Sequence, residues 1–133
     1  MKRLTLIHTS ATLVPVFQDL CRKHLGDKDV EVYQISDDSL IKNTIQRNEL
    51  TADTKRRVIQ YIRSAEESGA DSIMVTCSSI GPAVEMGAEL VDVPVLRVDR
   101  PMADRAIETG TRIGVAATLP TTLGPTADLI RRR

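Results

Sequence analysis

Short apolar runs rich in Val, Ile and Leu recur along this chain, each separated from the next by a stretch of helical periodicity, and that alternation is what most limits its fold. Residues 4–8, 30–35, 73–76, 95–98 and 112–117 read as five strands. Between the first two, Val14, Phe17, Cys21 and Leu25 fall on one helical face, and Gly26 stops the helix. Ser36-Asp37-Asp38 offers capping oxygens to a short helix through Leu40, Ile41 and Ile45. A longer helix over about residues 52–68 buries Val58, Ile59, Ile62 and Ala65 and ends at Gly69. Further helices are expected over residues 83–90, from Pro101 to about Thr109, and from Thr118 to Arg133. Strands joined through helices run parallel, because the crossover helix carries the chain back to the starting end of the sheet. The expected fold class is α/β, a parallel doubly wound sheet of flavodoxin-like form.

Such sheets bind ligands outside the carboxyl ends of their strands. The residues predicted there are Thr9 and Ser10, Ser36, Cys77 with Ser78 and Ser79, Asp99, and Thr118. The stretch from Asp71 to Pro82 is the most informative of these. A strand expected to be buried on both faces ends in Cys77-Ser78-Ser79, and Gly81-Pro82 opens a helix. A thiol facing unsatisfied backbone N–H groups loses its proton more readily and serves as base or nucleophile. The neighbouring hydroxyls and N–H groups would hold a carboxylate or phosphate. The competing reading is a buried cysteine that serves only as a small hydrophobe. Cys21 is read as a core residue of an outer helix, and His24 as a histidine in that helix's last turn.

Composition removes several function classes. The 133 residues suit a single domain with its own core. With 18 basic against 18 acidic residues, net charge recruits neither nucleic acid nor a membrane surface. One Phe and no Trp leave no aromatic platform for stacked bases. Two distant cysteines form neither a disulfide framework nor a Cys-x-x-Cys metal site. No run approaches the roughly 20 apolar residues of a membrane span, and a cytoplasmic setting is expected. Phosphate loops of the Gly-x-Gly-x-x-Gly and Gly-x4-Gly-Lys types are missing, and Thr9-Ser10-Ala11-Thr12 lacks the glycine of a flavin phosphate loop. Six positions after Cys77 stands Ala83, where a small tyrosine-phosphatase loop would carry Arg. The acidic, aspartyl and lysyl positions of a phospho-acceptor receiver domain hold His-Thr-Ser, Cys and Thr. What is left is a pocket for a small carboxylate, without metal or nucleotide.

Thr76-Cys77-Ser78-Ser79-Ile80-Gly81-Pro82-Ala83 and the stretch from Arg112 to Leu123, Arg-Ile-Gly-Val-Ala-Ala-Thr-Leu-Pro-Thr-Thr-Leu, closely resemble the aspartate/glutamate/hydantoin racemase superfamily. Ile7-His8-Thr9-Ser10 and Val98-Asp99-Arg100-Pro101-Met102 are similar to it at the corresponding strand ends. The resemblance implies a racemase that needs no cofactor, acting on a small-molecule carboxylate held between two α/β lobes. Two cysteines face each other across the substrate, and Cys77 matches the first-lobe cysteine. Thr9, Ser10, Ser78, Ser79 and Thr118 match positions that grip the substrate's carboxylate and amino group. The superfamily also includes one-thiol decarboxylases and isomerases.

Against this pattern, residues 1–99 are expected to form the first lobe, and residues 100–133 a linking helix and the first strand–helix unit of a second. The chain is then incomplete and inactive alone, and its unpartnered strand favours a homo-oligomer. The alternative is a self-contained five-strand domain that binds a small ligand or a protein without catalysis. Residues 113–117 separate the two: they join the strand over 95–98 in a self-contained domain, and start another sheet otherwise.

Overall fold

The computed structural model describes all of residues 1–133. Strand β1 (Lys2–His8) lies centrally, flanked by β2 (Val30–Ser36) and β3 (Ser72–Val75), with β4 (Val95–Arg97) outside β3. All three pairings are parallel, giving the order β2-β1-β3-β4. The chain steps one way from β1 to β2 and the other way to β3 and β4, so the strand order reverses between β1 and β3. That is the switch point where the loops leaving two adjacent strands part and leave a crevice.

Helices α1 (Leu13–Leu25), α2 (Ser39–Arg47), α3 (Ala52–Glu67), α4 (Gly81–Ala88) and α5 (Arg100–Thr109) follow the sequence pattern closely. Local chemistry explains several boundaries. Thr51 caps α3 by accepting from the Thr54 backbone N–H, and Gly69 beyond its end takes φ 102°, a left-handed conformation that glycine adopts without strain. The alternation along the strands sends Ile7, Ile73 and Val75 to one face, where they meet Val58, Ile62 and Ala65 of α3 and Ala83 and Val84 of α4. Each of these fully buried Ile and Val side chains contributes about 1.5–3 kcal/mol.

The opposite face is thinner. Leu6 and His8 are buried there, yet α1 has no fully buried residue, and Leu96 of β4 stays 43% exposed. Cys21 lies on outer helix α1 as expected but is no core residue: it is half-buried and lines a surface cleft, because α1 packs loosely on this thin face.

Three expectations are corrected. Residues 112–117 form no strand: they pair neither with β4 nor with a sheet of their own, and most are exposed. Their β-branched composition is real, but a strand requires a partner, and none lies within reach. Strand β3 is fully buried on one face only, with Met74 half-buried on the thin side. The helix after Cys77 does not begin at Ala83. A 3-10 turn (Ser78–Ile80) comes first, and α4 starts at Gly81 with Pro82 in its first turn.

The last helix, α6 (Pro120–Arg132), folds back over the 3-10 turn, α4 and α5, burying Thr126 and Leu129. A buried ion cluster ties this corner together. The Arg97 guanidinium is 6% exposed; its Nε and Nη2 donate to the two Asp99 oxygens at 3.0 and 2.8 Å, and Nη1 donates to Glu85 at 2.9 Å. Arg132 of α6 reaches the same Glu85 oxygen at 3.0 Å. The guanidinium lies against Gly81, where an added Cβ would stand 2.3 Å from Arg97 Cζ. Asp99→Ala, which strands a buried charge, is expected to cost about 3–5 kcal/mol. Gly81→Ala, which forces the guanidinium aside, should cost about 1–3 kcal/mol. Urea unfolding midpoints measure both, and a loss under about 0.5 kcal/mol for either would contradict this account.

Candidate active site

The parallel register places the tips of β1 and β3 side by side. Ile7 pairs with Val75, and one residue on His8 meets Thr76 through their side chains. The Thr76 backbone N–H donates to Ile7 O at 3.0 Å and is the last rung between the two strands. Cys77 follows in extended conformation (φ −128°, ψ 120°), half-buried against the main core cluster, and its thiol caps nothing. Ser78 is half-buried at the first position of the 3-10 turn.

Across the crevice, Thr9 is buried and Ser10 is partly exposed, its Oγ 2.7 Å from Thr12 Oγ1. Asp38 accepts from the Ala11 N–H at 3.3 Å and so tethers this loop to the start of α2. Thr9, Ser10, Cys77 and Ser78 thus share one end of the sheet, on its two central strands.

The other expected residues are placed differently. Ser79 is buried, and its hydroxyl is engaged with Thr122 Oγ1 at 2.8 Å and Thr121 Oγ1 at 3.3 Å, docking the first turn of α6. Thr118 is exposed on the segment that precedes α6. Ser36 is exposed at the tip of β2, level with His8, whereas Asp99 is consumed by Arg97. A cleft of about 210 Å³ lined by Leu50, Ser79, Pro120 and Thr121 borders the turn, and Cys77 is not among its lining residues.

Residues 5–133 match the model of the Asp/Glu/Hydantoin racemase family. The chain belongs to that family. Its fold is shared with the glutamate racemase from Aquifex pyrophilus (TM-score 0.72, 15% identity, 98% of this chain and 51% of that one). It is shared equally with the allantoin racemase from Klebsiella pneumoniae (TM-score 0.68, 18% identity, 99% of this chain and 54% of that one). The chain therefore spans about half the length of both. No curated protein matches it in sequence. No helix is long and apolar enough to cross a membrane, and no group of three or more His, Cys, Asp or Glu side chains is placed to hold a metal ion.

Two groups near the strand ends of this racemase-family chain were not legible as such in the sequence. One is His8, fully buried and bonded on both ring nitrogens. The other is Asp37, which binds three neighbours at the exit of β2. Ser39 donates through its backbone N–H and its hydroxyl at 2.9 and 2.6 Å, Arg57 at 2.7 Å and the Tyr61 hydroxyl at 2.5 Å. The Asp-x-Ser spacing at a helix start was a visible signal for the first contact; Arg57 and Tyr61 arrive from α3 and could not be read locally.

Burial pushes the Asp37 carboxyl up, but the Ser39 and Tyr61 hydrogen bonds and the Arg57 charge outweigh it and hold it below the usual carboxylate range. The same bond pushes the Tyr61 phenol up. Glu85 behaves like Asp37: burial raises it, and hydrogen bonds from Arg132 and Arg97 overcome that. A carboxylate held low when folded adds stability that is present above its unfolded pKa, and that stability disappears as pH falls through the folded value. Asp37→Asn and Glu85→Gln should therefore lower the urea midpoint at about pH 7, and the difference from wild type should close below about pH 4. A difference that widens on acidification would reverse the assignment.

Proposed function

We propose that this chain is one lobe of a cofactor-independent racemase for an amino acid or hydantoin-type substrate, with Cys77 as one of two thiol acid/bases. The observation that carries the reading is the place of Cys77 in a racemase-family chain. It stands just beyond the last β1–β3 rung, at the same end of the sheet as Thr9, Ser10 and Ser78. The α-proton of such a substrate is very weakly acidic, so removing it requires a base near neutrality and donors aimed at the charge that develops on the adjoining carbonyl group. The Cys77 thiolate takes the α-proton and becomes a thiol. The electron pair left on carbon delocalises into the carboxylate or ring carbonyl, where Thr9, Ser10, Ser78 and Thr118 supply hydroxyl donors. A second thiol then delivers a proton to the opposite face and becomes a thiolate, which inverts the centre without net redox change.

That second thiol is not Cys21, which lies on outer helix α1. Residues 1–99 form the lobe that carries Cys77, and residues 100–133 link it to a second lobe. The span of about half of each structural neighbour supports this division. The unpaired segment 112–117 meets neither expectation, lacking both a place beside β4 and a second sheet of its own. The same segment supports association between copies. Ser79 contributes by fixing α6, and with it Thr118, to the Cys77 turn.

Iodoacetamide alkylation, resolved thiol by thiol, tests the site. Cys77 should be labelled in the folded chain and protected by aspartate, glutamate or a 5-substituted hydantoin, while Cys21 shows no protection. A Cys77 inert until unfolding would return it to a packing role. The chain alone should not racemise these compounds by polarimetry. Racemisation that Cys77→Ser abolishes would show that one lobe suffices, and a clean monomer in sedimentation would remove the association.

A further inference from the structure

His8 is one of two histidines in the chain, and its surroundings differ wholly from those of exposed His24. Its ring is completely buried at the tip of β1. Nδ1 lies 2.7 Å from Thr76 Oγ1 and Nε2 lies 2.7 Å from Gln34 Oε1, while Phe17 of α1 packs against the ring at a centroid distance of 5.4 Å and 47°. These contacts favour one orientation of the imidazole, because rotating it gives up both ring hydrogen bonds. Thr76 immediately precedes Cys77 and is itself 8% exposed. Its single hydroxyl hydrogen can serve either Nδ1 or Ile7 O at 3.3 Å, and the contact to His8 is the shorter of the two.

The backbone ladder cannot set the thiol's position unaided. Strand β3 has four residues, and its last rungs are Thr76 N to Ile7 O and Val98 N to Val75 O. Cys77 lies beyond both, and its own side chain caps nothing. The His8–Thr76 bond is thus a side-chain link that joins the β1 and β3 tips one residue before Cys77, on the sheet face opposite the one where Cys77 packs. The carbonyl oxygen of Gln34 requires a donor at Nε2, which leaves Nδ1 as acceptor for the Thr76 hydroxyl.

We propose that His8, as the neutral Nε2–H tautomer, is the positioning residue for Cys77 and acts through Thr76. This rests on the reading of Cys77 as an acid/base. The imidazole touches no reacting atom. It orients the threonine whose peptide carries the thiol, as an outer partner orients a catalytic group elsewhere.

The test uses imidazole 15N spectra together with thiol-resolved alkylation of the 133-residue chain. The 15N shifts of His8 should report a protonated Nε2 and an accepting Nδ1; a protonated Nδ1 would overturn the assignment. Thr76→Val and His8→Phe should each change the Cys77 alkylation rate about threefold or more, in the same direction, the size expected for one buried hydrogen bond. The double variant should change it no further, because both act on one path. Thr76→Ser should restore the wild-type rate, and Thr76→Val should leave Cys21 unaffected. Should His8→Phe not fold, the Thr76 pair with the 15N spectrum carries the test. A wild-type Cys77 that resists labelling overturns the racemase reading and this inference with it. A Cys77 that labels normally, is protected by substrate and ignores Thr76→Val overturns this inference alone.

Discussion

Arg97 keeps a full positive charge almost out of water, and it is tolerated there because every side of the guanidinium is answered. Asp99 takes two parallel hydrogen bonds, Glu85 takes another, and Gly81 leaves the space in which the planar group lies. A buried pair of this kind is no strong source of net stability, since desolvating both ions offsets most of their attraction. Its effect is geometric. Arg97 belongs to β4, Gly81 begins α4 just after the Cys77 turn, and Glu85 passes the connection to Arg132 of α6. Three elements distant in sequence meet at one charge, and the turn that follows β3 is fixed from its outer side.

On its inner side the same turn is fixed by neutral contacts. Ser79 holds the first turn of α6 through Thr121 and Thr122, and Thr76 is held from β1 by the buried His8 ring. Cys77 lies between these two sets of contacts with a thiol committed to neither. The Asp37 cluster has a parallel role at the exit of β2, where Arg57 and Tyr61 pin α2 to α3, and Asp38 beside it tethers the Thr9–Thr12 loop.

The two faces of the sheet are unequal. One carries the packed core under α3 and α4; the other has α1 over its β1–β2 half and leaves Leu96 half open. Residues 112–117 have strand composition and no strand partner. Both features occur in a chain that spans about half the length of its structural neighbours.

The alternation of apolar runs with helical periods determined the parallel α/β class, the order of the elements and most of their boundaries, because periodicity and end-capping are local properties. It also placed Thr9, Ser10, Cys77 and Ser78 at strand ends, since a strand's end is visible wherever its apolar run stops. Tertiary structure alone decided what those ends touch. That Asp99 is spent on Arg97 follows from the β4–α5 turn two residues long, whereas Ser79 facing α6 and His8 bonding Thr76 depend on register and docking across dozens of residues. The one strand expected from composition that failed to form, 112–117, failed for the same reason: a helix closes its own hydrogen bonds, whereas a strand exists only where another chain segment lies beside it.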